Sequence, residues 1–109
     1  MKKIMIALVI IAMLAPVVAL ADTSEKVKIT GIRVQGNRTW ISFTPKQDMG
    51  CEAKNSVEVA NDNNNQKLIV SLAMSAMLAG KEVYWAYNHG NCSTGTTSKI
   101  IVGGLKVFD

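Results

Sequence analysis

Apolar and polar residues alternate, then shift to a longer period, then alternate again along this chain. Over 26–34, Val27, Ile29 and Gly31 fall on one side and Lys28 and Thr30 on the other. The phase breaks at Gly31, after which Ile32 and Val34 are the apolar positions, so the pattern predicts a strand with a β-bulge there. Residues 35–38 (Gln-Gly-Asn-Arg) predict a tight turn, and 39–43 a second strand that completes a hairpin. A loop follows over 45–50, then a third, weaker strand over 56–59.

The period then becomes helical. Leu68, Ile69, Leu72, Ala76 and Ala79 recur at helix spacing, and Gly80 stands where a helix-ending glycine belongs. The spacing predicts a helix over about 64–79, with N-cap choices among Asn61, Asp62, Asn63, Asn64 and Asn65. Met74, Met77 and Leu78 occupy its other side, so the helix is apolar nearly all round and expects cover on more than one face. One sheet covers one face; a second copy of the chain is the expected cover for the other. Strand alternation returns over 81–87, where Val83, Trp85 and Tyr87 are in phase. Residues 88–91 are turn chemistry, 93–98 a polar loop, and 99–102 and 106–108 the last one or two strands, broken by Gly103-Gly104. Three strands, one inserted helix and two or three more strands predict a small α+β domain, mainly β, closed as a partly open five- to six-stranded barrel.

The first 21 residues change how the rest is read. Lys2 and Lys3, an apolar run over 4–14, and Ala19-Leu20-Ala21 form a secretory leader with cleavage before Asp22. The two-lysine start has a bacterial appearance and predicts delivery to the periplasm or the medium. Removing both leader lysines leaves 10 basic against 8 acidic groups in one domain, 22–109. That balance, with Lys26, Lys28, Arg33 and Arg38 interleaved among apolar residues, predicts no nucleic-acid surface. No later stretch has the length of a membrane span.

In an oxidising compartment Cys51 and Cys92, the only cysteines, have one intramolecular pairing. Their wide spacing beside a single histidine fits neither a zinc site nor a redox CxxC pair. A structural disulfide is the expectation. His89 sits among turn formers, and the carboxylates Asp48, Glu52, Glu58, Asp62 and Glu82 show no paired-acid, HExxH or calcium-loop spacing. The expectation is therefore no metal, no cofactor and no catalytic set. The best ligand-binding candidates are the aromatics Trp40, Tyr84, Trp85 and Tyr87, with Trp85 and Tyr87 also in phase for the core.

Over 67–92 the chain resembles small secreted OB-fold proteins related to the B subunits of subtilase-cytotoxin and pertussis-like AB5 toxins. The residues that carry the resemblance are Leu72, Ala76, Gly80, Lys81, Val83, Trp85 and Cys92, with Cys51 as the second half of the disulfide. The resemblance implies an OB-like fold and a non-enzymatic subunit, assembled as a pentamer through the apolar helix and binding a glycan. The chain is shorter than those subunits and lacks a segment matching their sugar-binding loop. Two readings follow: an exported glycan- or protein-binding module, or a monomeric periplasmic accessory protein, such as an inhibitor or envelope-associated factor, with the same fold and no sugar site.

Overall fold

A computed structural model describes residues 22–60, 65–95 and 97–108. The leader and its cleavage residues Ala19 and Ala21, and four of the five candidate capping residues (61–64), lie outside the described residues. The elements are β1 (Asp22–Thr23), β2 (Val27–Gln35), β3 (Arg38–Thr44), β4 (Ser56–Val59), α1 (Gln66–Ala79), β5 (Glu82–Cys92) and β6 (Ile100–Val107).

Strands β2, β3 and β4 form an antiparallel meander, β4 pairs with β6 in parallel, and β6 pairs back through β5 to β2. Five strands thus close a ring, with β1 added on the outer edge of β5. The single helix enters between β4 and β5. This is an OB-like α+β fold, mainly β.

The local predictions hold at several points. The β2–β3 register slips between Ile29 and Gly31, where the phase break predicted a bulge. Gly36 and Asn37 make the two-residue turn, with Gln35 opposite Arg38. Gly80 ends the helix in the left-handed region at φ 66°, which the absence of a Cβ permits. Beyond it the Lys81 N–H donates to the Ala76 carbonyl at 2.9 Å, satisfying one of the last helical acceptors.

Three expectations are corrected. β5 does not stop at Tyr87; it runs through the turn-forming residues to Cys92, with a slip in register between those two positions. The glycine pair at 103–104 does not break β6, because a bulge opposite Ala86 and Tyr87 absorbs it within one strand. The helix faces the core with Ile69, Ala73 and Ala76, supported by Met77, rather than with Leu68, Leu72 and Ala79. Small alanines at the contact let the helix axis approach β2 and β6 closely, and that selects the face.

The core is filled by Val27, Ile41, Phe43, Val57, Val59, Val83, Trp85, Ile100 and Val102 from the ring, with Met49 inserted from the β3–β4 loop. Phe43 and Trp85 rings meet at 6.0 Å. β1 is held by more than its pairing, since Ser24 N–H donates to the Trp85 carbonyl at 2.9 Å and Ser24 Oγ accepts the Trp85 N–H at 2.8 Å.

Cys51 and Cys92 are bonded, with their Cα atoms 5.7 Å apart. The bond joins the β3–β4 loop to the last residue of β5. Beside it Gly50 lies at φ 92°, and a Cβ there would come within 2.7 Å of the Gly90 nitrogen. Only glycine allows the two backbones to approach so closely, and the Gly90 N–H uses the approach to reach the Met49 carbonyl at 3.0 Å.

Two stability predictions follow from this frame. Closing a loop of about 40 residues contributes roughly 4 kcal/mol in the chain-entropy account. The double substitution Cys51→Ser/Cys92→Ser should lower urea-unfolding stability by an amount of that order; a loss below about 1 kcal/mol refutes the assignment of the bond as the main brace. Burial first, and then the negative charges of Asp22 and Asp48, push the Tyr87 hydroxyl above the ordinary tyrosine value of 10.0. The neutral phenol is favoured by folding, so its contribution is fully present below pH 10.0 and is lost as pH rises through the raised folded value. Thermal melts across the alkaline range should show this limb, and Tyr87→Phe should flatten it.

Candidate functional site

The alternation that buries Thr39, Ile41 and Phe43 sends Trp40 and Ser42 to the outer surface of β3. Register places Trp40 directly opposite Glu58 of β4. Glu58 is between Val57 and Val59, both of which point into the core, so its carboxylate also faces outward. It is nevertheless only 8% exposed. Trp40 and Arg38 close on it, and the loop between β5 and β6 faces it across a cleft.

Each contact of that loop is specific. The Ser93 N–H donates to the Lys99 carbonyl at 2.7 Å, and the Lys99 N–H donates to Ser93 Oγ at 3.1 Å, so the loop is pinched at its base. Its descending limb is tied to the β3–β4 loop by the Ala53 N–H, which donates to the Ser98 carbonyl at 2.8 Å. Its tip is held by Arg38, whose Nη1 donates to the Thr94 carbonyl at 2.8 Å and whose Nη2 donates to Thr94 Oγ1 at 3.2 Å. Gly95, at φ 133°, lies against the same guanidinium, and a Cβ there would stand 3.4 Å from Nη1.

Between this loop and the strands is a cleft of about 280 Å³, walled by Arg38, Trp40, Glu58, Thr94, Thr97 and Lys99. Trp40 Nε1 donates to Glu58 Oε1 at 2.7 Å, and Arg38 Nη1 stands 3.9 Å from the same oxygen. A desolvated carboxylate is costly unless it is paired and hydrogen-bonded, and here it is both. Cations also surround the ring. Lys99 Nζ is 4.7 Å and Arg33 Cζ 5.5 Å from its centroid. The cleft therefore presents a half-buried indole, one oriented carboxylate and two cations, Arg38 and Lys99, with Arg33 over the indole ring.

The other aromatic candidates fall elsewhere. Trp85 is fully buried and Tyr87 nearly so; both pack the core, and neither offers a ring to a ligand. No partner reaches Trp85 Nε1 among the described residues. Tyr84 takes the outward phase and lies edge-on to Phe108, centroids 5.4 Å apart, in a separate lysine-rich cluster. His89 is exposed on β5, its N–H donating to Asp22 Oδ2 at 3.0 Å, and it takes no part in the Trp40 cleft. Among the described residues no three His, Cys, Asp or Glu side chains gather as a metal site.

Sequence reasoning singled out Trp40 but passed over Glu58, Arg38 and Lys99. The available signal was register: a glutamate between two core valines, one strand away from an outward tryptophan, has to share its surface.

Compared with known proteins, the chain matches no family model, no curated protein and no solved structure. The resemblance to toxin B subunits therefore rests on the residues of 67–92 alone, and function has to be argued from the cleft.

Trp40→Phe removes the indole donor and leaves the Glu58 carboxylate with only the distant guanidinium. Urea unfolding should show a loss of about 1–3 kcal/mol. Glu58→Gln, which retains an acceptor for the indole, should cost less. Equal stability of Trp40→Phe and the parent would mean the bond does not hold the cleft.

Proposed function

We propose that this chain is an exported, non-catalytic binding protein that takes a glycan in the Trp40–Glu58 cleft. The observation that carries the reading is the half-buried indole set in a cleft among fixed polar groups. The exposed part of the indole offers apolar area to a sugar ring once Lys99 or Arg33 moves aside from it, while Glu58, Arg38 and Thr94 offer an oriented acceptor and donors to its hydroxyls. The position on the barrel supports it. OB folds bind oligosaccharides and oligonucleotides across the second and third strands of the ring and the loops beside them. Here those strands are β3 and β4, and the loop facing them joins the last two strands.

The cationic rim narrows the ligand class. Lys99 and Arg33 flank the ring face, so an incoming sugar meets ammonium and guanidinium groups as well as the indole. A carboxylate- or sulfate-bearing sugar satisfies those charges, so acidic glycans are preferred over neutral ones. The single glutamate opposes a polyanion such as a nucleic acid, in which every residue carries a phosphate. Export is supported by the leader pattern of 1–21 and by a disulfide that suits an oxidising compartment. One chain builds the whole cleft, so the proposal does not depend on a ring of subunits.

Glycan-array binding by the oxidised protein is the test. Acidic glycans should give the signals, and Trp40→Ala and Lys99→Ala should each weaken them at least about tenfold while circular dichroism stays unchanged. A flat array across acidic and neutral sugars would sink the glycan reading, as would undiminished binding by Trp40→Ala.

A further inference from the structure

Among the described residues, none covers the outer face of α1. Leu68 is 64% exposed, Leu72 and Met74 46% each, and Leu78 80%. Only Ser71 and Ser75 interrupt this surface with polar groups, and no charge occurs from Leu68 to Gly80. Soluble domains rarely leave so many large apolar side chains together in water, and such patches mark contact surfaces.

The charges lie at the ends. Lys67 precedes the uncharged stretch and Lys81 follows it. At the C-terminal end the barrel adds more, because β2, β5 and β6 share one rim there: Val27 pairs with Val83, and Val83 with Val107. Lys26, Lys28 and Lys81 line an open cleft of about 330 Å³ against Ala79, Gly80 and Phe108. Lys26 Nζ stands 4.3 Å and Lys106 Nζ 5.3 Å from the Phe108 ring centroid. Two acids, Glu82 and the chain neighbour Glu25, leave the lysines in excess.

We propose that this face docks the protein on an anionic lipid bilayer, with the leucines and Met74 in the headgroup–acyl boundary and the lysines among the headgroups. A helix with apolar side chains on its free face and lysines at its margins lies in an interface in this way. Long lysine side chains reach from the apolar boundary to the anionic headgroups. Charge decides against a second copy of the chain as the occupant. Both ends of the helix are lysine-flanked, so two helices laid face to face set lysine against lysine whether parallel or antiparallel. Anionic headgroups neutralise both ends at once. The surface is distinct from the Trp40 cleft and does not rest on the glycan reading.

The test is co-sedimentation of residues 22–109, which carry every strand, the helix and the disulfide, with sugar-free phosphatidylcholine vesicles made with and without phosphatidylglycerol. Binding should appear on the anionic vesicles, be at least about tenfold weaker on the neutral ones, and fall as salt is added. Leu72→Ser/Leu78→Ser and, separately, Lys28→Gln/Lys106→Gln should each reduce it about tenfold or more. These side chains are exposed, and the fluorescence of buried Trp85 checks that each variant is folded. No binding to anionic vesicles, equal binding to neutral ones, or full binding by the leucine variant overturns the proposal. So does light scattering that finds a multimer which Leu72→Ser/Leu78→Ser splits into single copies.

Discussion

The covalent tie between Cys51 and Cys92 is the constraint on which the rest of the molecule depends. It fastens the β3–β4 loop, which has little regular pairing of its own, to the end of β5. The loop is not idle surface, because it carries Met49 into the core and brings Gly50 against Gly90. A small ring of strands encloses few side chains, and one plugged by a loop residue needs that loop held in place. Backbone contact and cross-link act on the same few residues. Chain entropy that would otherwise release the loop is removed where the core most needs it.

The same tie also shapes the cleft. Ser93, the first residue after Cys92, begins the loop that faces Trp40 and Glu58 across the cleft. Ser98, near the end of that loop, is gripped by Ala53, two residues beyond Cys51. The facing loop is thus fixed at both limbs to the segment that the disulfide anchors. Its tip is free of that segment and depends on Arg38. A desolvated glutamate on the outside of a barrel would be difficult to maintain beside a mobile loop. Beside a loop fixed at three points its hydrogen bond to Trp40 persists, and the indole keeps one orientation.

Much of this fold was legible in the residues, and the limits have physical causes. A bulge at Gly31, a turn at Gly36-Asn37 and a helix end at Gly80 are local events, dictated by a few neighbouring residues. The inward face of α1 was only partly legible: Ile69 and Ala76 fell at the helical spacing, but so did Leu68, Leu72 and Ala79, because leucine, methionine and alanine occur all round it and periodicity has no polar side to find. What selected Ile69, Ala73 and Ala76 was the close approach of the helix to β2 and β6, a tertiary effect. The continuity of β5 and β6 was also hidden. Glycine and asparagine usually signal turns, but here bulges accommodate them inside a ladder that both strands are long enough to keep. The cleft was the least visible, since Arg38, Trp40, Glu58, Thr94 and Lys99 come from two strands and a loop with no common spacing. Of these, Trp40 alone stood out, as one of the four candidate aromatics.

Strand alternation therefore divides the aromatic residues between two jobs. On β5 it buries Trp85 and Tyr87 and leaves Tyr84 outside; on β3 it buries Phe43 and leaves Trp40 outside. The outward rings then differ in what surrounds them. Trp40 is met by a carboxylate, a donor-bearing loop and two cations, which restrict both its position and the shape of what can reach it. Tyr84 and Phe108 are met by lysines around an open cleft beside an exposed apolar helix. Shape and directional hydrogen bonds select a discrete ligand; excess charge beside apolar area suits an extended anionic surface instead. The two surfaces use different side chains, so the proposed sugar cleft on the β3–β4 wall and the proposed lipid-facing helix do not compete within one ring.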